Sequence, residues 1–153
     1  MLSRTKPTIF LLTWTIAFVT AVSFPAPLSA QARERGAFVL KITGILAVKG
    51  QIKIAMFNSS ETWLGDHPAY NATVDVDSKV VTWKISDIPY GDYGIAVFHD
   101  ENKNGKIDKN FLGIPQEPYG FSNNMRIALG PPSLDKSKFV VKGALTELSI
   151  EVK

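Results

Sequence analysis

The sequence predicts an all-β fold: an antiparallel two-sheet sandwich of about seven strands that carries one long ordered loop. Past the N-terminal segment, apolar and polar side chains alternate at a period of two, which is typical of strands with one face in a core and one in water. No window shows helical periodicity beyond one or two turns, and Gly, Pro, Asp and Asn separate the alternating segments. Several short strands at this spacing favour a sandwich.

Four segments show the alternation most clearly, and each is predicted to be a strand. Successive side chains of a strand point to opposite sides, so the apolar set marks the face that lies in the core. The segments and their predicted core residues are 37–45 with Phe38, Leu40 and Ile42; 50–57 with Ile52, Ile54 and Met56; 79–88 with Val81, Trp83 and Ile85; and 147–152 with Leu148, Ile150 and Val152.

A fifth strand is predicted at "YGIAVFH", residues 93–99, which is apolar on both faces. That pattern suits a central strand covered on two sides, or a strand whose outer face is covered by a loop. Shorter strands are predicted at residues 73–76 and 138–141.

Residues 1–32 are predicted to be a signal peptide. Arg4 and Lys6 precede the apolar run "IFLLTWTIAFVTAVSF", and the small residues of "PLSAQA" follow it. This is the order of charged, apolar and cleavage regions in a secretory signal, and the run is shorter than the ~20 residues of a membrane-spanning helix. Cleavage after Ala32 is favoured, with Ala30 as the alternative.

Residues 33–153 are predicted to form a single β-sandwich domain that is periplasmic or secreted, with no transmembrane segment after signal removal. The chain has no cysteine, which excludes disulfides and a lipid anchor on cysteine. Its net charge of +3 includes both basic residues of the signal, so the mature domain is close to neutral and nucleic acid binding is not indicated. An exported domain without disulfides depends on its core or on a metal for stability.

Two segments interrupt the strand pattern. Residues 58–71 form a polar connection that contains Trp63 and His67. Residues 100–133 form a much longer one, and structureless loops beyond about 12–15 residues are uncommon unless they are functional or disordered. This loop is too apolar for a solvated linker, so we expect it to be ordered. Ordering costs roughly 1–2 kcal/mol per residue in backbone entropy, which some interaction has to offset.

The stretch "DENKNGKID", residues 100–108, places oxygen-bearing groups at alternate positions around Gly105. Calcium takes six to eight hard oxygens, and a tightly wound loop directs alternate positions at one point. The twelfth position is Phe111 instead of the bidentate Glu of an EF-hand, so the pattern is closer to the short D-x-[DN]-x-[DN]-G-x-x-D loops of extracellular modules. The predicted Ca²⁺ ligands are Asp100, Asn102, Asn104, the backbone carbonyl of Lys106, Asp108 and, from outside the turn, Glu117.

With two or three carboxylates, such a site predicts weak affinity, of order 10⁻⁴–10⁻³ M. The alternative is that "ENKNGK" is only a hairpin turn, because Asn-Gly is a strong turn signal. A turn alone accounts for Asn104 and Gly105. It does not explain why Asp100, Asn102 and Asp108 also occupy the alternate positions expected of calcium ligands.

The segment "IPYGDYGIAVFHDENKNGKIDKNFLGIPQEPYGFSNN", residues 88–124, together with "GPPS" at residues 130–133, resembles the exported bacterial proteins grouped as domain of unknown function family 2141 (DUF2141). The resemblance covers most of the mature chain. It implies a bacterial exported protein and no particular activity. The strand entry "IPYGDYGIAVF" also resembles prealbumin-like modules, which implies a prealbumin/immunoglobulin-like sandwich.

Two further functions are open. A hydrolase would use His99 and Glu117 as a base and acid pair, with Asp100, Tyr119 and Asn123 nearby. However, the sequence lacks a nucleophile elbow, a catalytic cysteine and H-E-x-x-H, and His99 is more typical of a residue packed at a strand end.

The other open function is a carbohydrate- or peptide-binding module of the cell envelope, whose partner would be an envelope protein or a glycan. Aromatic side chains in sandwich loops can form a stacking surface, although they also close cores and anchor loops. The aromatic residues considered for such a surface are Trp63, Tyr70, Tyr90, Tyr119 and Phe121.

Overall fold

The computed structural model describes residues 34–125 and 130–153 and shows an all-β sandwich. Its eight strands within those ranges lie in two sheets, which confirms the predicted fold class. The predicted signal peptide, residues 1–32, lies outside the described residues. The strands are β1 (Arg35–Thr43), β2 (Gln51–Phe57), β3 (Tyr70–Asp75), β4 (Val81–Pro89), β5 (Gly91–Asp100), β6 (Tyr119–Phe121), β7 (Phe139–Val141) and β8 (Leu145–Glu151).

The first sheet has three strands in the order β4-β1-β8. β1 pairs antiparallel with β4, where Leu40 lies opposite Trp83. One pair departs from the antiparallel arrangement: β1 and β8 run parallel, with Leu40 opposite Leu148. Parallel neighbours cannot be joined by a hairpin, and these two strands come from opposite ends of the domain, so all the chain between them serves as the crossover.

The second sheet has five strands. Four follow the order β3-β2-β5-β6, and β7 pairs with the first residues of β5. β5 is therefore a central strand, as its continuous apolar pattern predicted. β3 begins at Tyr70, three residues earlier than the alternation indicated.

The core lies between the two sheets, and its residues come mostly from the alternation. Phe38, Ile52 and Ile95 are fully buried, each from a different strand. Trp83 and Ile85, predicted as core residues of β4, are only half-buried and pack against the edge of the core. This position follows from the topology, because β4 is an edge strand of its sheet.

At Gly94 the outer face of β5 is covered by two side chains, Trp63 from the connection between β2 and β3 and Leu134 from the segment before β7. A Cβ on Gly94 would lie 2.4 Å from Leu134 Cδ1 and 2.8 Å from Trp63 Cζ3, so the two side chains rest directly on the strand backbone. The indole Nε1 of Trp63 donates a hydrogen bond of 2.8 Å to the carbonyl of Pro132. Trp63 therefore links two loops across the outer face of the sheet.

Helical structure in the described ranges is short: a 3₁₀ turn at Ser122–Asn124 and one turn of α-helix, α1, at Leu134–Ser137. Among these residues no helix has the length and apolar character needed to cross a membrane.

Candidate functional site

The long loop, defined here as residues 101–118, connects the adjacent strands β5 and β6. Two carboxylates stand where it begins and ends. Asp100 is the last residue of β5 and is fully buried, and Glu117 lies just before β6 with 8% of its surface exposed. Buried carboxylates are stable only when they accept hydrogen bonds or have a cationic partner. The contacts of these two side chains therefore define how the loop is held.

Asp100 winds the first part of the loop into a tight turn. Its Oδ1 accepts a hydrogen bond from the backbone N–H of Asn104 at 3.0 Å, and its Oδ2 accepts one from Gly105 at 2.8 Å. Gly105 has φ +80°, in the left-handed region that favours glycine. The turn predicted from the Asn-Gly pair is present, and the carboxylate before it holds it in place.

Glu117 ties the end of the long loop back to its beginning. Its Oε1 accepts the backbone N–H of Glu101 at 2.9 Å, and its Oε2 accepts that of Asp108 at 3.0 Å. Glu117 was predicted to lie against the turn that spans residues 100–108, and the structure brings the two together. Each carboxylate oxygen retains a second lone pair that these hydrogen bonds do not use.

The remaining predicted ligands form a ring of side-chain hydrogen bonds. The amide nitrogens of Asn102 and Asn104 donate to the two carboxylate oxygens of Asp108, at 2.7 and 2.9 Å. Their amide oxygens accept backbone N–H groups, that of Asn104 at 3.0 Å for Asn102 and that of Lys106 at 2.8 Å for Asn104. The side chain of Lys106 is exposed, so only its backbone belongs to the turn.

The chemistry of this donor set fits a hard cation in kind, since it consists of carboxylate, amide and carbonyl oxygens. In residues 34–125 and 130–153, no three His, Asp or Glu side chains gather in a metal-binding arrangement. Both oxygens of the Asp108 carboxylate accept hydrogen bonds from side-chain amide N–H groups, those of Asn102 and Asn104. Binding would therefore require both amides to turn their oxygens inward. The metal role of these residues stays a prediction.

His99 lies next to this turn but is fully buried. Its Nε2 contacts the carbonyl of Lys49 at 2.7 Å, and its Nδ1 is 3.9 Å from Glu101 Oε1. Glu101 in turn pairs with the ammonium of Lys49 at 2.9 Å. The buried imidazole ring packs at the end of β5, where a substrate could not reach it without opening the fold. Glu117, its proposed partner in a hydrolase, is committed to two backbone N–H groups.

An open apolar cleft lies on the outer face of the five-stranded sheet, beside the long loop. We call it the outer cleft; its volume is about 780 Å³. Its floor is formed by outward-facing residues of β2, β5 and β6, and the long loop supplies one wall through Ile107 and Ile114. The aromatic residues that line it are Phe57, Phe98, Tyr119 and Phe121.

The five aromatic residues considered for a stacking surface do not share one surface. Tyr119 and Phe121 line the outer cleft. Trp63 lies behind the cleft, with its ring centroid 5.3 Å from that of Phe57 and 6.3 Å from that of Phe121. The other two, Tyr70 and Tyr90, pack against the sandwich core.

Three consecutive polar residues after β6 have a structural role that the sequence pattern did not indicate. The hydroxyl of Ser122 accepts the backbone N–H of Ile95 at 2.9 Å and donates to the carbonyl of Ser137. Asn123 Nδ2 donates to the carbonyl of Lys138, and Asn124 Oδ1 accepts the N–H of Glu151. These three residues therefore connect the end of β6 to β5, to the end of α1 and the residue after it, and to β8. It also places Asn123 in a structural contact.

Fold and site together define a class: a β-sandwich whose two sheets pack around an apolar core and whose β5–β6 loop is pinned at both ends by buried carboxylates. A family model described as "Uncharacterized protein conserved in bacteria (DUF2141)" matches residues 40–149, and the chain belongs to this family. The resemblance seen in the sequence is thereby confirmed. Neither a curated protein nor a solved structure matches the chain.

Proposed function

We propose that the protein is an exported, non-catalytic β-sandwich module whose long loop is stabilised by one calcium ion. The ion would be held by the carboxylates of Asp100 and Asp108, the amide oxygens of Asn102 and Asn104 and the carbonyl of Lys106, with Glu117 as an added ligand. The observation that carries the proposal is that all these groups, spread over eighteen positions of sequence, belong to one hydrogen-bonded turn.

Charge supports a cation at this position more than an anion. Asp100 and Asp108 both accept hydrogen bonds from Asn104 of the turn, Glu117 accepts the N–H of Asp108, and the Lys106 side chain is exposed. The hydrogen bonds to these carboxylates come from neutral N–H groups, which offset charge less well than a cation does. A divalent ion would join the two ends of the loop through ligands that already contact each other through hydrogen bonds.

A thermal melt in calcium against EDTA tests the proposal. With a dissociation constant of order 10⁻⁴–10⁻³ M, about 10 mM calcium should stabilise the mature protein by about 1–3 kcal/mol, which raises Tm by several degrees. Asp108→Asn should abolish this increase, because it removes a carboxylate ligand. Asp66→Asn is the matched control, since Asp66 is exposed in the connection between β2 and β3.

An unchanged Tm in calcium would contradict the proposal, and so would a rise of equal size in Asp108→Asn. Magnesium provides a second comparison: it demands near-ideal octahedral geometry and dehydrates reluctantly, so its effect should be smaller.

Export is tested separately by N-terminal sequencing of protein recovered from the periplasm or the medium. We expect the chain to begin at Arg33, or at Gln31 for the alternative cleavage site.

The carbohydrate- or peptide-binding alternative has one supporting observation, the outer cleft with Tyr119 and Phe121 on its lining. The lining is dominated by apolar carbon and is poor in the paired polar groups that orient sugar hydroxyls or a peptide backbone. The cleft therefore favours a different class of ligand.

A further inference from the structure

We infer that the outer cleft binds an anionic amphiphile, specifically a free aliphatic monocarboxylate of the fatty-acid type. The cleft volume of about 780 Å³ lies within the roughly 300–1,000 Å³ that is usual for small-molecule sites. Its floor is a β-sheet surface on which Ala55 and Ala96 lie opposite each other in register, and both line the cleft. The small side chains leave a shallow trough between the aromatic residues on either side.

The apolar surface continues from the cleft onto the tip of the long loop. Residues 109–115 form a short hairpin, in which Lys109 and Pro115 pair across the stem. The tip exposes Phe111 at 94% and Leu112 at 67%, and Ile114 connects this surface to the cleft wall. Large apolar side chains exposed together usually mark a binding surface. An alkyl chain in the trough would cover carbon from both the sheet and the tip.

The charge of the cleft lining favours a ligand with an anionic head group. Two lysines, Lys53 and Lys109, line the cleft, and the described lining contains no acidic residue. In the described part of the chain neither ammonium lies within ion-pair distance of a carboxylate, although Lys53 donates a hydrogen bond of 3.3 Å to Thr73 Oγ1. Lysine stems can lie along apolar surface while the ammonium stays at its edge. The cleft therefore combines an apolar floor with two cations that have no carboxylate partner among the described residues.

This inference does not rest on bound calcium. The floor and Lys53 belong to the sandwich, whereas one wall and Lys109 belong to the long loop. Calcium that orders the loop should tighten binding, but binding itself should be measurable in EDTA. The absence of a calcium effect on Tm would thus contradict the proposed function but not this inference. The absence of carboxylate binding would contradict this inference but not the proposed function.

The experiment is calorimetric titration of the mature protein with decanoate below its micelle concentration, compared with neutral 1-decanol and cationic decyltrimethylammonium. We expect decanoate to bind most tightly, and the backbone N–H signals of Ala55 and Ala96 to shift in NMR spectra. Lys53→Met and Lys109→Met should each weaken decanoate binding about two- to fivefold, as a partly exposed ion pair would, and leave decanol unaffected. Lys84→Met, on the exposed face of the other sheet, is the matched control.

Ala96→Trp gives a second test, because it fills the trough without altering charge. It should reduce binding of decanoate and decanol alike, and its Tm shows whether the fold is intact. The inference is overturned if decanoate gives neither heat nor shifts at Ala55 and Ala96. It is also overturned if decanol binds as tightly as decanoate and neither cleft lysine matters, or if the protein binds only to lipid vesicles and not to the monomeric carboxylate.

Discussion

The sandwich and the long loop are stabilised by different physical interactions, although they share a strand. In the sandwich, Phe38, Ile52 and Ile95 are removed completely from water between two sheets, and this stabilisation is non-directional and close to independent of ions. In the long loop, most side chains are exposed, and the chain is held by hydrogen bonds to the carboxylates of Asp100 and Glu117. Apolar burial therefore sets global stability, whereas the order of the loop depends on a few polar contacts that substitution or ions can change.

The largest effect should come from the core. Phe38 is fully buried, and its ring lies 5.4 Å from that of Phe139 and 6.4 Å from that of Trp83. Phe38→Ala should lower the free energy of unfolding by about 3–5 kcal/mol, because it removes the apolar contacts and leaves a cavity between the sheets. Urea denaturation measures this loss, which should be the same in calcium and in EDTA.

Leu46→Ala is the control for that substitution, since Leu46 is 85% exposed and its truncation should change the free energy of unfolding little. A Phe38→Ala protein that lost less than about 1 kcal/mol would contradict the assignment of this ring to the core.

A smaller and local effect should come from Glu117→Gln. The glutamine is nearly isosteric, but it has one amide oxygen where the two carboxylate oxygens accept the N–H groups of Glu101 and Asp108. One partly buried N–H should then face an NH₂ group and lose its partner, which costs at most about 1–3 kcal/mol. Hydrogen exchange in EDTA should show faster exchange at the N–H groups of Glu101 and Asp108 and unchanged exchange at Ile54.

Gln116→Glu is a useful comparison, because it alters the charge of the neighbouring exposed residue and leaves Glu117 intact. Equal acceleration of exchange throughout β2 and β5 in Glu117→Gln would contradict this prediction, because it would show that the loop and the sandwich open as one unit.

The sequence predicted the sandwich well because its strands have a local signal. The alternation of Phe38, Leu40 and Ile42 with Lys41 and Thr43 is sufficient to define β1 and its buried face. The parallel pairing of β1 with β8 has no such signal, since it depends on which of several strands of similar pattern reaches the edge of β1. Local periodicity defines strands, and long-range packing selects their neighbours.

The long loop was predicted less completely, for a related reason. Asp100, Asn104 and Gly105 form a local pattern, and Glu117 was predicted because the calcium coordination shell needs an oxygen from outside the turn. Ser122 was missed, because its partners Ile95 and Ser137 lie 27 and 15 residues away, and a lone serine after a strand has no periodic signature. The outer cleft was missed as well, since it arises only when the loop folds back over the sheet.

The smallest effect should come from the surface ion pair that joins the loop to the sandwich. Lys103 donates a hydrogen bond of 2.9 Å to Asp75 at the end of β3, and this ammonium, together with Gln51, holds the pKa of the Asp75 carboxyl below its ordinary value. A carboxyl with a lowered pKa in the folded state contributes stability that is complete above its unfolded pKa of about 3.9 and is lost as the pH falls through the lower folded value.

Asp75→Asn should therefore be less stable than the wild type near neutral pH, and the difference should shrink toward zero as the pH falls below about 4. Both side chains are largely exposed, so the difference should be small and should also decrease in high salt. Unfolding free energies measured across this pH range, with Asp66→Asn as the control for loss of a carboxylate elsewhere, would show it. A difference that grew at acidic pH would mean that Asp75 is not held by Lys103, and that the carboxylates of Asp100 and Glu117 hold the loop without help from β3.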